Sequence, residues 1–156
     1  MESNGDLEEA VSILRKKGVA SAAKKAGRDA GEGVIAQCVS SDKSKGVLVE
    51  VNCETDFVAK NENFVAFAGE VAGLLLSDPD MDLESTRTEQ VAKIGENIRI
   101  SRSQEIAVDG PGLVASYVHT GGKVAVLLSL GTDSADVAND AKVISLAKDL
   151  CMHVAA

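Results

Sequence analysis

Apolar residues near the start of the chain recur every three to four positions, which is typical of one face of a helix. The residues that set this spacing are Leu7, Val11 and Leu14. We expect Asn4 or Asp6 to cap the helix and Gly18 to end it, with an alanine-rich second helix over 20–26. Two short helices bury little apolar surface, so we interpret residues 1–28 as part of a three-helix module whose first helix is absent.

The hydrophobic period changes to two beyond residue 32, as expected for β-strands. Two β-rich runs, 34–39 and 47–53, are joined by a polar stretch. They predict a β-hairpin over 33–53 that turns about Lys43.

A longer amphipathic helix is predicted over 61–77, where apolar residues recur at helical spacing after two asparagines that can cap it. Phe64 and Phe67 lie on its apolar face and are expected in the core. Residues 77–80 include a proline and break the helix. A further short helix is predicted to end near Ala92.

Three more β-rich runs lie within residues 97–130, separated by turn residues at 109–112 and 120–122. They predict an antiparallel meander. A terminal helix is predicted over 134–154 from its apolar stripe. Because strands and helices are grouped in runs, we predict an α+β fold, with an antiparallel-sheet core over 29–156 following the helical module.

The charge of the chain bears on its partners. Its 156 residues include 16 basic and 24 acidic side chains, a net charge of −8. Such a chain is not attracted as a whole to nucleic acid, so we expect protein partners and no direct nucleic-acid binding. Basic residues do cluster near the N-terminus: Arg15, Lys16, Lys17, Lys24, Lys25 and Arg28. They form either a solvated helix face or a polyanion site.

The longest uninterrupted apolar stretches, 71–76 and 124–128, fall far short of the roughly 20 residues that span a bilayer. The acidic and polar residues after Met1 also differ from a secretory signal. We therefore expect no membrane association and an intracellular location.

Motifs for covalent chemistry are missing from the sequence. Gly122 and Lys123 lack the earlier glycine and the following hydroxyl of a phosphate-binding loop. The cysteines are odd in number and include no C-x-x-C pair: Cys38, Cys53 and Cys151. We therefore expect free thiols and no metal site, and the symmetry of the hairpin keeps Cys38 from facing Cys53.

The most informative segment is 52–58, where a strand runs directly into an acidic residue and a large aromatic. Loops at strand ends present side chains outward from a rigid support. Asp56 and Phe57 combine a carboxylate with a wedge of apolar surface, which suits insertion into a partner protein. The alternative is that Phe57 packs under the helix 61–77 while Asp56 caps a turn.

Residues 52–60, Asn-Cys-Glu-Thr-Asp-Phe-Val-Ala-Lys, strongly resemble the hallmark segment of the elongation factor Ts family. Further blocks resemble the family in the same order: Asn4–Glu8 with Leu14–Gly18, Ala22–Gly27, Ala92–Ile98, Ser116–His119, and Ala147–Asp149 with Met152–Ala156. The resemblance covers essentially the whole chain.

The resemblance implies a guanine-nucleotide exchange factor that binds elongation factor Tu and promotes GDP release, without covalent catalysis and without a cofactor or metal of its own. The residues that would enter the GTPase near its magnesium and phosphate site correspond to Thr55, Asp56, Phe57 and Val58. In the family, the phenylalanine wedges between helices of the GTPase. Further partner contacts correspond to Ile94, Gly95 and His119.

The resemblance also implies that the N-terminal module is ubiquitin-associated-like and that the chain is shortened at both ends. The first helix of the family is missing before Ser3, and the family continues beyond Ala156. Activity is expected in the bacterial cytoplasm, or in a plastid or mitochondrion if the protein is organellar. A homodimer is an alternative oligomeric state.

Three other functions remain open at this point. The chain could be a truncated binding module that engages the GTPase without efficient exchange. It could be a pure adaptor that binds through the helices at 4–28. It could also be a thiol enzyme built on Cys53 with His119 and Asp56, which would require an exposed, reactive thiol.

Overall fold

The computed structural model describes residues 6–156, and this part of the chain contains six helices and five strands. The helices are α1 (Leu7–Lys25), α2 (Asp56–Ala59), α3 (Glu62–Ser77), α4 (Glu84–Ile94), α5 (Ala135–Ala138) and α6 (Ala141–Ala155). The strands are β1 (Glu32–Val39), β2 (Lys45–Cys53), β3 (Arg99–Ala107), β4 (Gly112–Val118) and β5 (Ala125–Gly131). Helices combined with antiparallel sheets confirm the predicted α+β class.

The N-terminal region is one helix, so the predicted break at Gly18 is wrong. Asp6 caps α1 by accepting hydrogen bonds from two backbone N–H groups, while Asn4 lies outside the described residues. A Cβ on Gly18 would lie 3.6 Å from Ala92 and 3.8 Å from Thr88 of α4. Packing against α4 therefore offsets the roughly 1 kcal/mol that a glycine costs inside a helix.

The first sheet has the strand order β1-β2-β3, and all pairings are antiparallel. The predicted hairpin is confirmed, with Lys43 in the turn at φ 58°. Cys38 pairs with Val47 and Cys53 pairs with Glu32, so the two thiols lie at different positions along the hairpin.

The predicted meander over 97–130 is confirmed in its three strands and in the pairing of the last two, but its predicted pairing of β3 with β4 is wrong. β3 pairs with β2, and β4 pairs only with β5 in a separate two-stranded sheet. β3 pairs with the edge of β2 that lies opposite β1. The turn at 109–112 then leads the chain from the first sheet to the second. The two sheets approach closely at Gly46, where a Cβ would lie 2.9 Å from Val114 and 3.0 Å from Leu127.

Helix α3 covers the first sheet, as predicted. Asn61 caps it by accepting a hydrogen bond from the Asn63 N–H at 2.9 Å. Phe64 and Phe67 are buried in the core, which confirms their predicted placement. The core beneath α3 also contains buried residues from β2, from α4 and from the segment before β3: Val47, Val49, Val51, Cys53, Val91 and Ile98.

The predicted terminal helix over 134–154 is wrong in its continuity, because it is divided into α5 and α6. Ser134 caps α5, and Asp140 starts a new helix by accepting a hydrogen bond from the Lys142 N–H at 2.7 Å. α6 packs on the second sheet and buries Ala147 and Cys151 in a separate core cluster. The division of the chain into modules 1–28 and 29–156 stays a prediction.

Candidate partner-binding site

The candidate site begins where β2 leaves the sheet. Cys53 ends β2 fully buried, and two residues later Thr55 is the N-cap of the short helix α2. The Thr55 hydroxyl accepts a hydrogen bond from the Val58 N–H at 3.3 Å. The segment that carries the predicted contacts is therefore a capped helical turn on a buried strand end.

Glu96 fixes this exit from a distant part of the chain. Its Oε2 accepts hydrogen bonds from the backbone N–H groups of Glu54 and Thr55, both at 3.0 Å. Its Oε1 accepts a hydrogen bond from the Thr55 hydroxyl at 2.6 Å. Three donors from two consecutive residues thus converge on one carboxylate.

Glu54 makes the reciprocal contact with the segment after α4. Its Oε1 accepts a hydrogen bond from the Asn97 N–H at 2.6 Å and lies 3.4 Å from the guanidinium of Arg28. The buried Asn97 side chain in turn donates to the Arg28 carbonyl at 2.8 Å. These contacts join the strand exit, the end of α4 and the residues after α1.

Phe57 projects from α2 with 84% of its surface exposed. The alternative in which Phe57 packs under α3 is therefore wrong, and so is the alternative in which Asp56 caps the turn, since Thr55 does so. α2 is anchored on its other side, where Ala59 is buried and Val58 packs against the core. An exposed aromatic on an anchored turn is suited to contact with another macromolecule.

Asp56 forms an exposed ion pair with Lys60 one helical turn later, with Oδ2 and Nζ 2.7 Å apart. The hydrogen bond from Lys60, and then its charge, lower the pKa of Asp56. At neutral pH the residue before Phe57 is therefore an ionised carboxylate.

Val58 and Ile94, which are distant in sequence, line the same open groove between α3 and α4, with a volume of about 630 Å³. Its lining includes the apolar side chain of Phe67 and the oppositely charged side chains of Glu70 and Lys93. The structure therefore brings Ile94, a predicted partner contact, close to Val58 of the Phe57 segment.

Gly95 ends α4 with φ 90°, a conformation that glycine adopts without steric cost. Its position directly before Glu96 and Asn97 allows the chain to turn back toward the strand exit. Gly95 thus has a structural reason to be glycine, whether or not it contacts a partner.

His119 is exposed at the end of β4, where its Nδ1 lies 3.0 Å from the Tyr117 hydroxyl. The turn that follows is tied to β1, since the Gly122 carbonyl accepts from the Ile35 N–H at 2.7 Å and Lys123 pairs with Glu32 at 2.5 Å. Because Glu32 pairs with Cys53, this turn and the Phe57 segment lie at the same end of the first sheet.

Cys53 does not fit the thiol-enzyme hypothesis. It is fully buried. Burial, and secondarily the nearby charge of Glu96, raise its pKa to about 11. A buried thiol with a raised pKa is a poor nucleophile, so that hypothesis is wrong. Across residues 6–156, no group of three or more His, Cys, Asp or Glu side chains could hold a metal ion.

No helix within residues 6–156 combines the length and apolar character that crossing a bilayer requires.

The sequence reasoning missed the residues that support the site, namely Glu54, Glu96, Asn97 and Arg28. Their roles depend on contacts between segments 26 to 69 residues apart. The available signal was the run of polar residues directly after Gly95, at the point where a helix was expected to have ended.

These features define an α+β domain with an exposed aromatic on an anchored strand exit. A family model described as "Elongation factor TS" matches residues 54–156, and the chain belongs to the elongation factor Ts family.

Relatives named "Elongation factor Ts" support this assignment. The chain is 46% identical to the protein of Clostridium perfringens over 169 residues and 44% identical to that of Nitratiruptor sp. over 168 residues. It is 43% identical to the protein of Trichlorobacter lovleyi over 171 residues. The matches cover 99% of this chain but 54 to 55% of each relative, so the chain spans about half the length of these relatives.

Proposed function

We propose that this chain binds elongation factor Tu and promotes release of GDP from it, without covalent catalysis. The observation that carries the proposal is the 84% exposed Phe57, held on a capped turn at a buried strand end. Family membership supplies the partner class.

The proposed mechanism is insertion of α2 beside the magnesium and phosphate site of the GTPase. An aromatic side chain buries about 150–250 Å² when it enters an apolar cleft, so Phe57 can separate two elements of the partner. The carboxylate of Asp56 enters with it and perturbs the magnesium and phosphate contacts electrostatically. The affinity of the GTPase for GDP is thereby lowered. By reciprocity, bound GDP lowers the affinity of the GTPase for this chain.

Anchoring of the segment makes this use of binding energy efficient. Thr55 is fixed by the carboxylate of Glu96 and Val58 packs on the core, so little conformational entropy is lost when the partner binds. Val58 and Ile94 extend the contact surface along the groove between α3 and α4. Gly95, directly after Ile94, and His119, at the same end of the sheet, add further contacts.

The deciding measurement is stopped-flow release of a fluorescent GDP from bacterial elongation factor Tu, with excess unlabelled nucleotide. The chain has no tryptophan, so it contributes little background to the signal. We expect the release rate to rise with the concentration of the chain, and Phe57→Ala to lower the stimulated rate by about 30-fold.

The second candidate function is a binding module without efficient exchange. It is favoured by the observation that the chain spans about half the length of its relatives, since the remaining half of a relative can supply further contacts. Unchanged GDP release together with capture of the nucleotide-free GTPase would support this candidate. Absence of both would contradict elongation factor Tu as the partner.

Other attributes follow from the proposal. Its place of action is where translation occurs, in a bacterial cytoplasm or in a plastid or mitochondrion. The basic residues of α1 are then a solvated helix face. The homodimer remains a prediction that measurement of the molar mass in solution can check.

A further inference from the structure

We propose that Glu96 is a positioning residue for the exchange reaction, which holds Thr55 and, through it, the orientation of α2 and Phe57. This inference rests on the proposed function. It assigns a role to a residue that is not among the predicted partner contacts.

The two carboxylate oxygens of Glu96 accept hydrogen bonds from different groups. Oε2 accepts from the N–H groups of Glu54 and Thr55 at 3.0 Å and so fixes the backbone where the strand ends. Oε1 accepts a hydrogen bond from the Thr55 hydroxyl at 2.6 Å and so fixes the orientation of that hydroxyl. A carboxylate is the side chain suited to this task, because it offers only acceptors and forms strong charge-assisted bonds.

The fixed hydroxyl transmits this constraint to the helix. The Thr55 hydroxyl donates its hydrogen to Glu96, which leaves a lone pair on the hydroxyl oxygen free to accept from the Val58 N–H. The Val58 nitrogen lies 3.3 Å from this oxygen. That bond caps α2 and sets the direction of its first turn, which contains Phe57. The connection from Glu96 to Phe57 therefore consists of two hydrogen bonds and one helical turn.

Glu96 is itself held in place from both sides. Gly95 ends α4 in the left-handed conformation before it. After it, the Asn97 N–H donates to Glu54 at 2.6 Å and the Asn97 side chain donates to the Arg28 carbonyl at 2.8 Å. The carboxylate is thus supported by the helix end and by the residues after α1, so it can act as a fixed reference for the strand exit.

The first test uses the isolated chain and requires no partner. Phe57→Trp introduces a tryptophan into a chain that has none, and its time-resolved anisotropy reports the local motion of residue 57. We expect Glu96→Gln and Thr55→Val in this background to increase the fast motion, and Thr55→Ser, which keeps the hydroxyl, to leave it near the parent value. Amide exchange at Glu54 and Thr55 should quicken in Glu96→Gln.

The matched control is Glu89→Gln, which changes an exposed carboxylate on α4 that lies outside the groove. It should leave anisotropy and amide exchange unchanged. Equal motion of residue 57 in the parent and in Glu96→Gln would overturn the proposal, provided that circular dichroism shows both to be folded.

The second test uses GDP release from elongation factor Tu. Misplacement of a positioned group by about 1 Å can cost up to about 100-fold in rate, and we expect Glu96→Gln to lower the stimulated release rate by about tenfold. In a Phe57→Ala background the same change should have no further effect, since Glu96 acts through Phe57. Additive losses would overturn the proposal and assign Glu96 to general stability.

The two tests separate this inference from the proposed function. If the unaltered chain fails to stimulate release, the proposed function is wrong, while the anisotropy result still decides whether Glu96 orders residue 57. If the unaltered chain stimulates release and Glu96→Gln does so equally, the positioning role is wrong and the proposed function stands.

Discussion

Phe57 and Phe64 are seven residues apart and have opposite environments, since Phe57 is 84% exposed and Phe64 is fully buried. The chain passes between them from α2 to α3, and the cap at Asn61 starts the new helix in a different direction. The same residue type therefore serves two purposes in adjacent helices. In a chain with three phenylalanines, leaving one in solvent gives up apolar burial and is consistent with a contact role.

This pair yields the first prediction. Phe57→Ala should leave the melting temperature nearly unchanged and should lower stimulated GDP release by about 30-fold, the effect of losing about 2 kcal/mol at an interface hot spot. Phe64→Ala is the matched control and should destabilise the fold by about 3–5 kcal/mol. Calorimetry and stopped-flow release measure the two effects. A large loss of stability in Phe57→Ala would place its ring in the core.

The ion pair beside Phe57 gives a prediction about pH. Because Lys60 lowers the pKa of Asp56 and Asp56 raises that of Lys60, the pair contributes stability between the two values. This contribution is lost as pH falls through the lowered pKa of Asp56 or rises through the raised pKa of Lys60. Carboxyl NMR titration should show a higher pKa for Asp56 in Lys60→Met. An unchanged pKa would mean that the pair does not form in solution.

A separate prediction concerns Asp42 in the β1–β2 turn. Hydrogen bonds from the Ser40 hydroxyl, then from the backbone N–H and hydroxyl of Ser44, lower its pKa to about 2. The carboxylate therefore supports the turn above the ordinary pKa of aspartate, and the support is lost as pH falls from about 4 to 2. Asp42→Asn should remove this part of the acid transition. A carboxyl titration near pH 4 in the unaltered chain would contradict the prediction.

The predicted secondary contacts should affect the affinity for elongation factor Tu more than the maximal rate of GDP release. His119→Ala removes an exposed side chain at the β4 end and should weaken binding to nucleotide-free elongation factor Tu by about three- to tenfold, the usual range for a contact outside the hot spot. At saturating chain, the GDP release rate should stay near its original value. A titration of release rate against chain concentration separates the two quantities, and a lowered plateau would assign His119 to the exchange step.

Local pattern predicted those elements whose stability is local. The apolar spacing of α3 and the asparagine at its start gave the helix, and the period of two gave the β1–β2 hairpin. Pairing between distant strands was not predictable in this way. The run 97–108 between turn residues indicates that β3 is a strand, but it carries no information on whether β3 joins β2 or β4, and tertiary packing decides this.

The same distinction between local and distant contacts applies to the residues of the candidate site. Asp56 and Phe57 were identified because the motif is contiguous, whereas Glu96 contacts Thr55 across 41 residues of sequence. Helix continuity also depended on context, since α1 runs through Gly18 where it packs on α4. The caps Ser134 and Asp140 divided a stripe that looked continuous.

The last prediction concerns the two cysteines of the hairpin, which provide a matched pair. Cys53 is fully buried with a pKa of about 11, while Cys38 on the neighbouring strand is partly exposed. At pH 8 only about 0.1% of a thiol with this pKa is ionised, and its burial further restricts access of the reagent. Mass spectrometry after brief alkylation should therefore show labelling of Cys38 well before Cys53, and both should react in denaturant. Rapid labelling of Cys53 in the folded chain would mean that the strand exit opens, which would contradict the rigid support on which the placement of Phe57 depends.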